Sequence, residues 1–392
     1  MTAPALPPGL TAEALADAVA EPDPDGLAAA TRLRAAHGSA VGAAALHQAS
    51  LRRRARQKFG DRAATLFFTR DGLEQATRPA VAAHHAARLV AAGAARVVDL
   101  GCGIGTDALA FADAGLEVVA VERDPGTAAV AAANLGERGQ VLCADAEAVA
   151  AELLTPGTAA FCDPARRSGS GRLWRVTDFT PSWDLVTTLL AGDRVAGVKL
   201  GPALPHTLVP TTAEAEWVTH DGDTVEVGLW AGPGARPDLD VATLLPGARL
   251  EVPRPGPGRP AEPLPVGPVG RYLFEPDGAV IRARGVGPLG RRLGAHLLNP
   301  EIAYLSGDTA EETPFATAFE VLDVLGAGEK TLRRWVREHE VGTLEIKKRG
   351  VDVDPAVLRR RLAPRGPGRA TLVLSRTPSG AVALVVRRLG HG

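Results

Sequence analysis

Four carboxylates and three glycines between residues 99 and 163 are the groups of this 392-residue chain best spaced to do chemistry. The segment Val97-Val98-Asp99-Leu100-Gly101-Cys102-Gly103-Ile104-Gly105 reads as a short β-branched strand ending in a glycine-rich turn, with a helical stretch from Thr106 to Ala114 directly after it. Glycines allow positive φ and bring bare backbone N–H groups close to a ligand. A helix start adds the positive end of its dipole. That is the chemistry of a cofactor-binding loop. It is not the dinucleotide form, which needs G-x-G-x-x-G, because Thr106 stands where the last glycine would be. A second apolar strand, residues 116–121, ends at Glu122, about 20 residues past the glycines, where one carboxylate can accept from both hydroxyls of a ribose. A third strand, 140–144, ends at Asp145. A fourth, 158–162, runs into Asp163-Pro164-Ala165-Arg166-Arg167. Asp99, Glu122, Asp145 and Asp163 therefore close four successive strands at their C-terminal ends, where the ligand crevice of an open parallel α/β sheet lies.

The elements that must position these acids follow from the same stretch. An Ala-rich helix over 125–135 begins with Pro at its first turn, and a second helix covers 147–154. Beyond Asp163 come a helix over 183–190 and a strand over 195–200 with Lys199 near its end. Two strands, 215–219 and 224–230, flank the hairpin signal Asp221-Gly222, and a further strand covers 240–245. The expected fold is α/β, a Rossmann-like parallel sheet with an antiparallel edge. Residues 1–85 read as a helical region and 86–250 as the cofactor domain. Residues 253–268 hold seven Pro and three Gly in sixteen positions, too many for a regular element, so 251–268 reads as a linker. Residues 269–392 form a second, smaller α+β unit.

Charge is divided unevenly along the chain. The whole carries a formal charge of −1, yet Thr331–Gly392 holds 14 Lys/Arg against 5 Asp/Glu, a local +9 that leaves about −10 on the rest. This asymmetry points to an anionic partner for the C-terminal unit. Arg is abundant in a chain of Ala/Gly-rich composition, so the clustered lysines in Lys347-Lys348-Arg349 stand out more than any arginine. Residues 51–59 are also basic and read as a solvated helix face. Phe68, Thr69 and Gln75, just upstream of the first strand, are either a lid over the cofactor or packing residues. Cys102, Cys143 and Cys162 contain no Cys-x-x-Cys spacing and read as small buried hydrophobes in a reducing, cytoplasmic setting. The nine histidines have no metal-ligand spacing, and adjacent His84 and His85 do not face one another on a helix, so no metal is expected. No signal peptide or membrane span is apparent.

The pattern Asp-x-Gly-x-Gly-x-Gly at Asp99–Gly105 resembles the first motif of the class I S-adenosylmethionine (SAM)-dependent methyltransferases. Leu73-Glu74-Gln75-Ala76-Thr77, Asp163-Pro164-Ala165-Arg166, and the stretches 271–305 and 342–355 resemble bacterial members that carry a C-terminal THUMP-like domain. The resemblance covers nearly the whole chain from about residue 50. It implies SAM as cofactor, held by Asp99, Gly101, Gly103, Gly105, Glu122 and Asp145, with Asp145 near the adenine amine. It implies catalytic roles for Asp163 and Pro164, at the place of the Asp/Asn/Ser-Pro-Pro-aromatic motif of nucleic-acid amino-methyltransferases. Ala165 and Arg166 depart from that motif, so stacking comes from elsewhere, or Arg166 stacks or grips a phosphate. The kinship of the appended domain to RNA-binding modules implies RNA as partner, tRNA or rRNA methylated at a base nitrogen, with Arg166, Lys347, Lys348 and Arg349 on the substrate. The Asp-Pro-Pro-Arg of 5-methyluridine methyltransferases is also similar, but that chemistry needs a downstream cysteine, and none follows Cys162. Two alternatives stay open: a small molecule or protein as substrate with a purely structural C-terminal domain, and a SAM-binding module without catalysis.

Overall fold

The computed structural model describes residues 6–166, 176–255 and 263–390. Its contacts divide the chain into two compact units, Met1–Glu216 with Glu226–Asp238, and Trp217–Val225 with Leu239–Gly392.

The first unit opens with helices Ala12–Ala20, Leu27–His37, Ser39–Phe59, Arg70–Gln75 and Pro79–Ala91. The basic stretch 51–59 does not simply face solvent. Arg52 donates to the Leu66 carbonyl, Arg53 to those of Glu21 and Pro22, and Lys58 to those of Leu73 and Glu74. These cations satisfy carbonyls that loops and helix ends leave open. The sheet follows, with β1 (Arg96–Leu100), β2 (Glu117–Glu122), β3 (Gln140–Cys143) and β4 (Thr158–Cys162). A short ribbon pairs β5 (Ala165–Arg166) with β6 (Phe179–Thr180). Then come β7 (Ala196–Leu200), β8 (Glu214–His220) and β9 (Asp223–Ala231). These strands lie in the order β8-β9-β7-β4-β1-β2-β3 within a nine-stranded sheet. Strands β1, β2, β3, β4 and β7 are parallel, and β9 runs antiparallel to β7. The β8–β9 turn has Asp221 at φ 52° and Gly222 at φ 80°, the positive pair that a tight hairpin of matching twist requires. Strand β4 is buried along its whole length because helices cover both faces, which is why it reads as an unbroken apolar run. The chain leaves β1 toward β2 on one side and returns to β4 on the other, so the strand order reverses between β1 and β4. In open α/β sheets that reversal marks the ligand crevice.

The second unit contains the antiparallel pair β10 (Leu239–Leu244) and β11 (Ala248–Pro253). A seven-stranded sheet is built from β12 (Tyr272–Pro276), β13 (His296–Asn299), β14 (Ile302–Gly307), β15 (Ala316–Gly326), β16 (Val341–Lys348), β17 (Gly368–Thr377) and β18 (Gly380–Arg388), in the order β13-β14-β12-β15-β18-β17-β16. β16 and β17 pair in parallel, and the other described pairs run antiparallel. Helices Glu329–Glu338 and Pro355–Leu362 bury Leu332, Val336, Leu358 and Leu362 in one apolar cluster with strand residues such as Leu344 and Leu372. The Pro-rich stretch is a linker only in part. Residues 256–262 lie outside the described residues, but Leu264 is buried, Pro265 accepts from Leu297 N–H and Gly267 donates to the Leu297 carbonyl. Proline removes donors but leaves carbonyls free to pair.

Candidate active site

The glycine turn after β1 has the conformation its composition demands. Gly101, Gly103 and Gly105 take φ of 88°, 56° and 82°, values a side chain disfavours. The turn is pinned to the next strand: Gly101 and Cys102 N–H both donate to the Val121 carbonyl. Glu122, at the end of β2, accepts from Gly103 N–H at 3.1 Å and from Asp124 N–H at 2.9 Å. A Cβ at Gly103 would project into open space, whereas one at Gly101 would lie 3.7 Å from the Asp163 carbonyl oxygen. The turn therefore has a free face and lies beside the end of β4. Asp145 caps helix Ala146–Leu153 through Glu147 N–H, so one of its oxygens has a structural task.

The segment upstream of β1 packs under the turn. Thr69 caps helix Arg70–Gln75 through Gly72 N–H. A Cβ on Gly72 would fall 2.3 Å from Ile104 Cγ2, so only glycine lets this helix approach the turn. Phe68 is fully buried, and Gln48 bonds both its N–H and its carbonyl. Of the two roles open to Phe68 it has the packing one. Asn134 ties the same segment to the turn, donating to the carbonyls of Phe67 and Ile104. Among the cysteines, Cys162 is buried, but Cys143 is exposed, because β3 is the sheet's edge strand and leaves that side uncovered; it is not the small buried hydrophobe expected.

Beneath the crevice lies a buried chain of ionisable groups. His85 Nδ1 contacts Asp107 Oδ1 at 2.8 Å and its Nε2 contacts Glu226 Oε1 at 2.5 Å. Thr77 donates to the other Asp107 oxygen at 2.5 Å. Burial alone would discharge the imidazole, but the two carboxylates outweigh it and raise its pKa to about 10. Asp107 is held below its ordinary value: burial pushes it up, and the His85 contact prevails. Asp163 bonds Lys199, which stands at the end of β7. Burial works against the Lys199 charge as well, but Asp163, Asp107 and Glu226 hold the ammonium charged, with its pKa raised. Burial also raises Asp163, partly offset by Lys199. The pair is reachable, with side chains 36% exposed for Asp163 and 14% for Lys199. Pro164 is buried. Arg166 pairs with Phe179 through its backbone, and its side chain lies outside the described residues.

Asp99 is the outlier. It is 1% exposed, and its Oδ2 has no hydrogen-bond partner among the described residues. Burial, with Asp107 and Asp163 nearby, holds its pKa well above the usual carboxylate range. An unsatisfied buried oxygen costs free energy, and a cationic ligand group would satisfy it. A glycine turn with a free face, an orphaned carboxyl oxygen and a carboxylate ending β2 fit the amino-acid and ribose portions of SAM.

Family comparisons match these features segment by segment. A methyltransferase domain matches residues 98–153, a THUMP domain-like family matches 316–388, and a domain of unknown function matches 7–55. Uncharacterized S-adenosylmethionine-dependent methyltransferases from two strains of Mycobacterium tuberculosis, CDC 1551 and H37Rv, are each 34% identical to this chain over 351 residues, 86% of it and 93% of the relative. The chain is a SAM-dependent methyltransferase. A putative methyltransferase from Porphyromonas gingivalis W83 shares the fold over 96% of this methyltransferase and 98% of its own chain, with a TM-score of 0.77 at 22% identity.

The enzyme has a class I sheet with an appended THUMP-like domain, and sequence spacing located its turn and its four strand-end acids. It did not locate His85, Asp107, Glu226 or Asn134 as parts of the site, and it noted Lys199 without a partner. In the second unit it singled out Lys347-Lys348-Arg349, which the structure splits. Lys347 lies 2.6 Å from Glu275, and Arg349 reaches the same carboxylate at 3.9 Å while covering the Tyr304 ring. Lys348, on the opposite side of the strand, is exposed. The two helices expose six further arginines, Arg333, Arg334, Arg337, Arg359, Arg360 and Arg361; Arg333 donates to the Arg361 carbonyl, and Glu329 pairs with both Arg333 and Arg361. Among the described residues no helix is long and apolar enough to cross a membrane, and no group of three or more His, Cys, Asp or Glu could hold a metal ion.

Proposed function

We propose that the enzyme methylates RNA, tRNA or rRNA, at the crevice between β1 and β4. SAM supplies an activated methyl group. Asp99 would hold its cationic amino group, the backbone of Gly101, Gly103 and Gly105 its methionine part, Glu122 its ribose and Asp145 its adenine. Asp163 aligns the acceptor and takes its proton, Pro164 sets the turn that presents it, and Arg166 contacts substrate. The observation that carries the RNA reading is the arginine face of helices Glu329–Glu338 and Pro355–Leu362, within the segment that matches the THUMP-like family. Lys348 extends the basic surface at the edge strand. Lys347 and Arg349 act on RNA only if Glu275 releases them. Total RNA from a strain lacking the protein, incubated with labelled SAM and analysed as nucleosides by mass spectrometry, tests the reading. Label confined to protein or metabolites would favour the alternative substrates.

The cofactor site carries its own prediction. Glu122→Ala removes the ribose acceptor and also unties Gly103 and Asp124, so SAM binding weakens by about 1.5–3 kcal/mol or more, the worth of a charged hydrogen bond. Gly103→Val puts a branched side chain on a positive-φ residue and into the free face of the turn, and abolishes measurable binding. Calorimetry with SAM reads both, and unchanged affinity in the two variants would remove the cofactor assignment from this turn.

RNA binding is expected to depend on salt. Each phosphate neutralised contributes about −0.9 to the slope of log affinity against log salt on a duplex and about −0.7 on a single strand. Changing Arg334, Arg337, Arg359 and Arg360 together to Gln lowers RNA affinity and flattens that slope, while thermal melting stays near wild type because the four side chains are exposed. Changing Lys347 and Arg349 instead lowers the melting temperature, because Glu275 loses its cations. Filter binding over a salt series separates the two outcomes.

A further inference from the structure

We infer that Lys58 receives the α-carboxylate of SAM, so that the zwitterionic end of the cofactor is held between Asp99 and a cation of the N-terminal helices. The inference rests on the placement of SAM at the glycine turn. It adds to the cofactor site a residue well upstream of the segment that matches the methyltransferase domain, 98–153.

Two unmet groups of opposite sign carry it. The amino-acid end of SAM bears an ammonium and a carboxylate on one carbon, so its site needs an anion and a cation close together. Asp99 is the anion: it is buried, and its Oδ2 has no hydrogen-bond partner among the described residues. Lys58 is the cation. It lies in the last turn of helix Ser39–Phe59 and is half-buried. An ammonium has three donors, and two of these go to the carbonyls of Leu73, at 3.0 Å, and Glu74, at 3.2 Å. Among the described residues no carboxylate lies within ion-pair distance of Lys58, and the Glu74 carboxylate pairs with Arg54 instead. Burial first, and then the like charges of Lys199 and Arg78, lower the Lys58 pKa to about 8. An ammonium drawn out of water and facing like charges is costly, and an anionic ligand group relieves that cost.

The fold fixes Lys58 on the upstream side of the turn. The carbonyls it holds belong to helix Arg70–Gln75, and Gly72 lets that helix lie against Ile104, inside the turn. Thr77 ties the same segment to Asp107 in the helix after the turn. Lys199 is near enough for its charge to act on both Lys58 and Asp99. The neighbouring cations are already committed. Lys199 bonds Asp163, His85 lies between Asp107 and Glu226, and Arg52 donates to the Leu66 carbonyl.

Calorimetry on the full-length protein with SAM and with decarboxylated SAM tests the assignment. The second ligand keeps the adenine, ribose, sulfonium and ammonium and lacks only the carboxylate. Wild type is expected to bind SAM about 10- to 100-fold more tightly, as one charged hydrogen bond allows. Equal affinities would overturn the inference and leave the cofactor site standing. Lys58→Gln removes the charge, while its amide can still donate to the Leu73 and Glu74 carbonyls. In that variant SAM affinity is expected to fall by about the same factor, and decarboxylated SAM to bind as it does to wild type. Equal losses for both ligands would mean that Lys58 only braces helix Arg70–Gln75. An undiminished preference for SAM would assign the carboxylate to another group. Either result overturns the inference. Wild-type SAM affinity in Gly103→Val would end the placement of the cofactor at this turn, and the inference with it. Because the two ligands are also compared on the unaltered protein, the inference stays open to refutation even where Lys58→Gln fails to fold.

Discussion

Asp163→Ala lowers methyl transfer by about 10²–10⁴-fold, the usual worth of a positioned general base, and leaves SAM affinity largely intact. The expectation rests on position. Asp163 ends β4, and its carbonyl lies beside Gly101 at the point where the strand order reverses. Among the described residues its carboxylate bonds Lys199 and no group of the turn. Asp163→Asn is the sharper probe. It preserves size and one acceptor oxygen but cannot take a proton or hold Lys199 as an ion pair. If alignment alone were the task, Asn would retain partial activity; with a proton to remove, it falls to the level of Ala. Single-turnover kinetics beside SAM calorimetry distinguish the cases. A wild-type rate for Asp163→Ala would place the catalytic site elsewhere.

His85→Gln destabilises the fold by about 3–5 kcal/mol, the cost of breaking a buried ion pair by removing one partner. His85 is 1% exposed and lies between two carboxylates that are themselves buried. Without the imidazolium, Asp107 and Glu226 lose the cation they both bond directly and keep only the Lys199 charge nearby, and the helix that follows the glycine turn loses an anchor. The same contact sets a pH dependence. The imidazole pKa is raised from its ordinary value of about 6.5 to about 10 in the folded protein. A raised cationic pKa contributes stability that is fully present below the ordinary value and is lost as pH rises through the folded one. Wild-type stability therefore declines between about pH 6.5 and 10 by an increment that the Gln variant lacks. Asp107 works in the opposite direction: its folded pKa is depressed, so its contribution disappears in acid, as pH falls through that value. Thermal melting of both proteins from pH 6 to 10 checks the sign, and parallel curves would mean that His85 is not charged in the native state.

The arginine-rich helices show why a run of basic residues is a poor guide to an interface. Lys347 and Arg349 are adjacent in sequence to an exposed lysine, yet both turn toward Glu275, more than seventy residues earlier. The exposed arginines at 334, 337, 359 and 360 lie some 25 positions apart in sequence, on two helices that share one apolar cluster with the sheet. The same logic applies to the basic stretch in helix Ser39–Phe59, where Arg52, Arg53 and Lys58 hold loop carbonyls.

Local pattern alone made the glycine turn and the strands and helices around it legible. The β-branched run before Asp99, the glycine at every second position after it, and an acid at the end of each following strand are features of neighbouring residues, and neighbouring residues set φ, strand alternation and helix starts. The helix over 183–190 and the hairpin at Asp221-Gly222 were legible for the same reason: Ser182 caps the one, and the other needs two positive φ values in a row. The tertiary structure decided which chemical groups meet. Lys199 joins Asp163 across 36 positions, His85 joins Glu226 across 141, and Gly72 is required only because Ile104 lies against it. Sequence spacing carries no information about a partner brought in from another strand or helix. Those pairings arise where the sheet reverses its strand order and the chain's distant segments converge on one crevice.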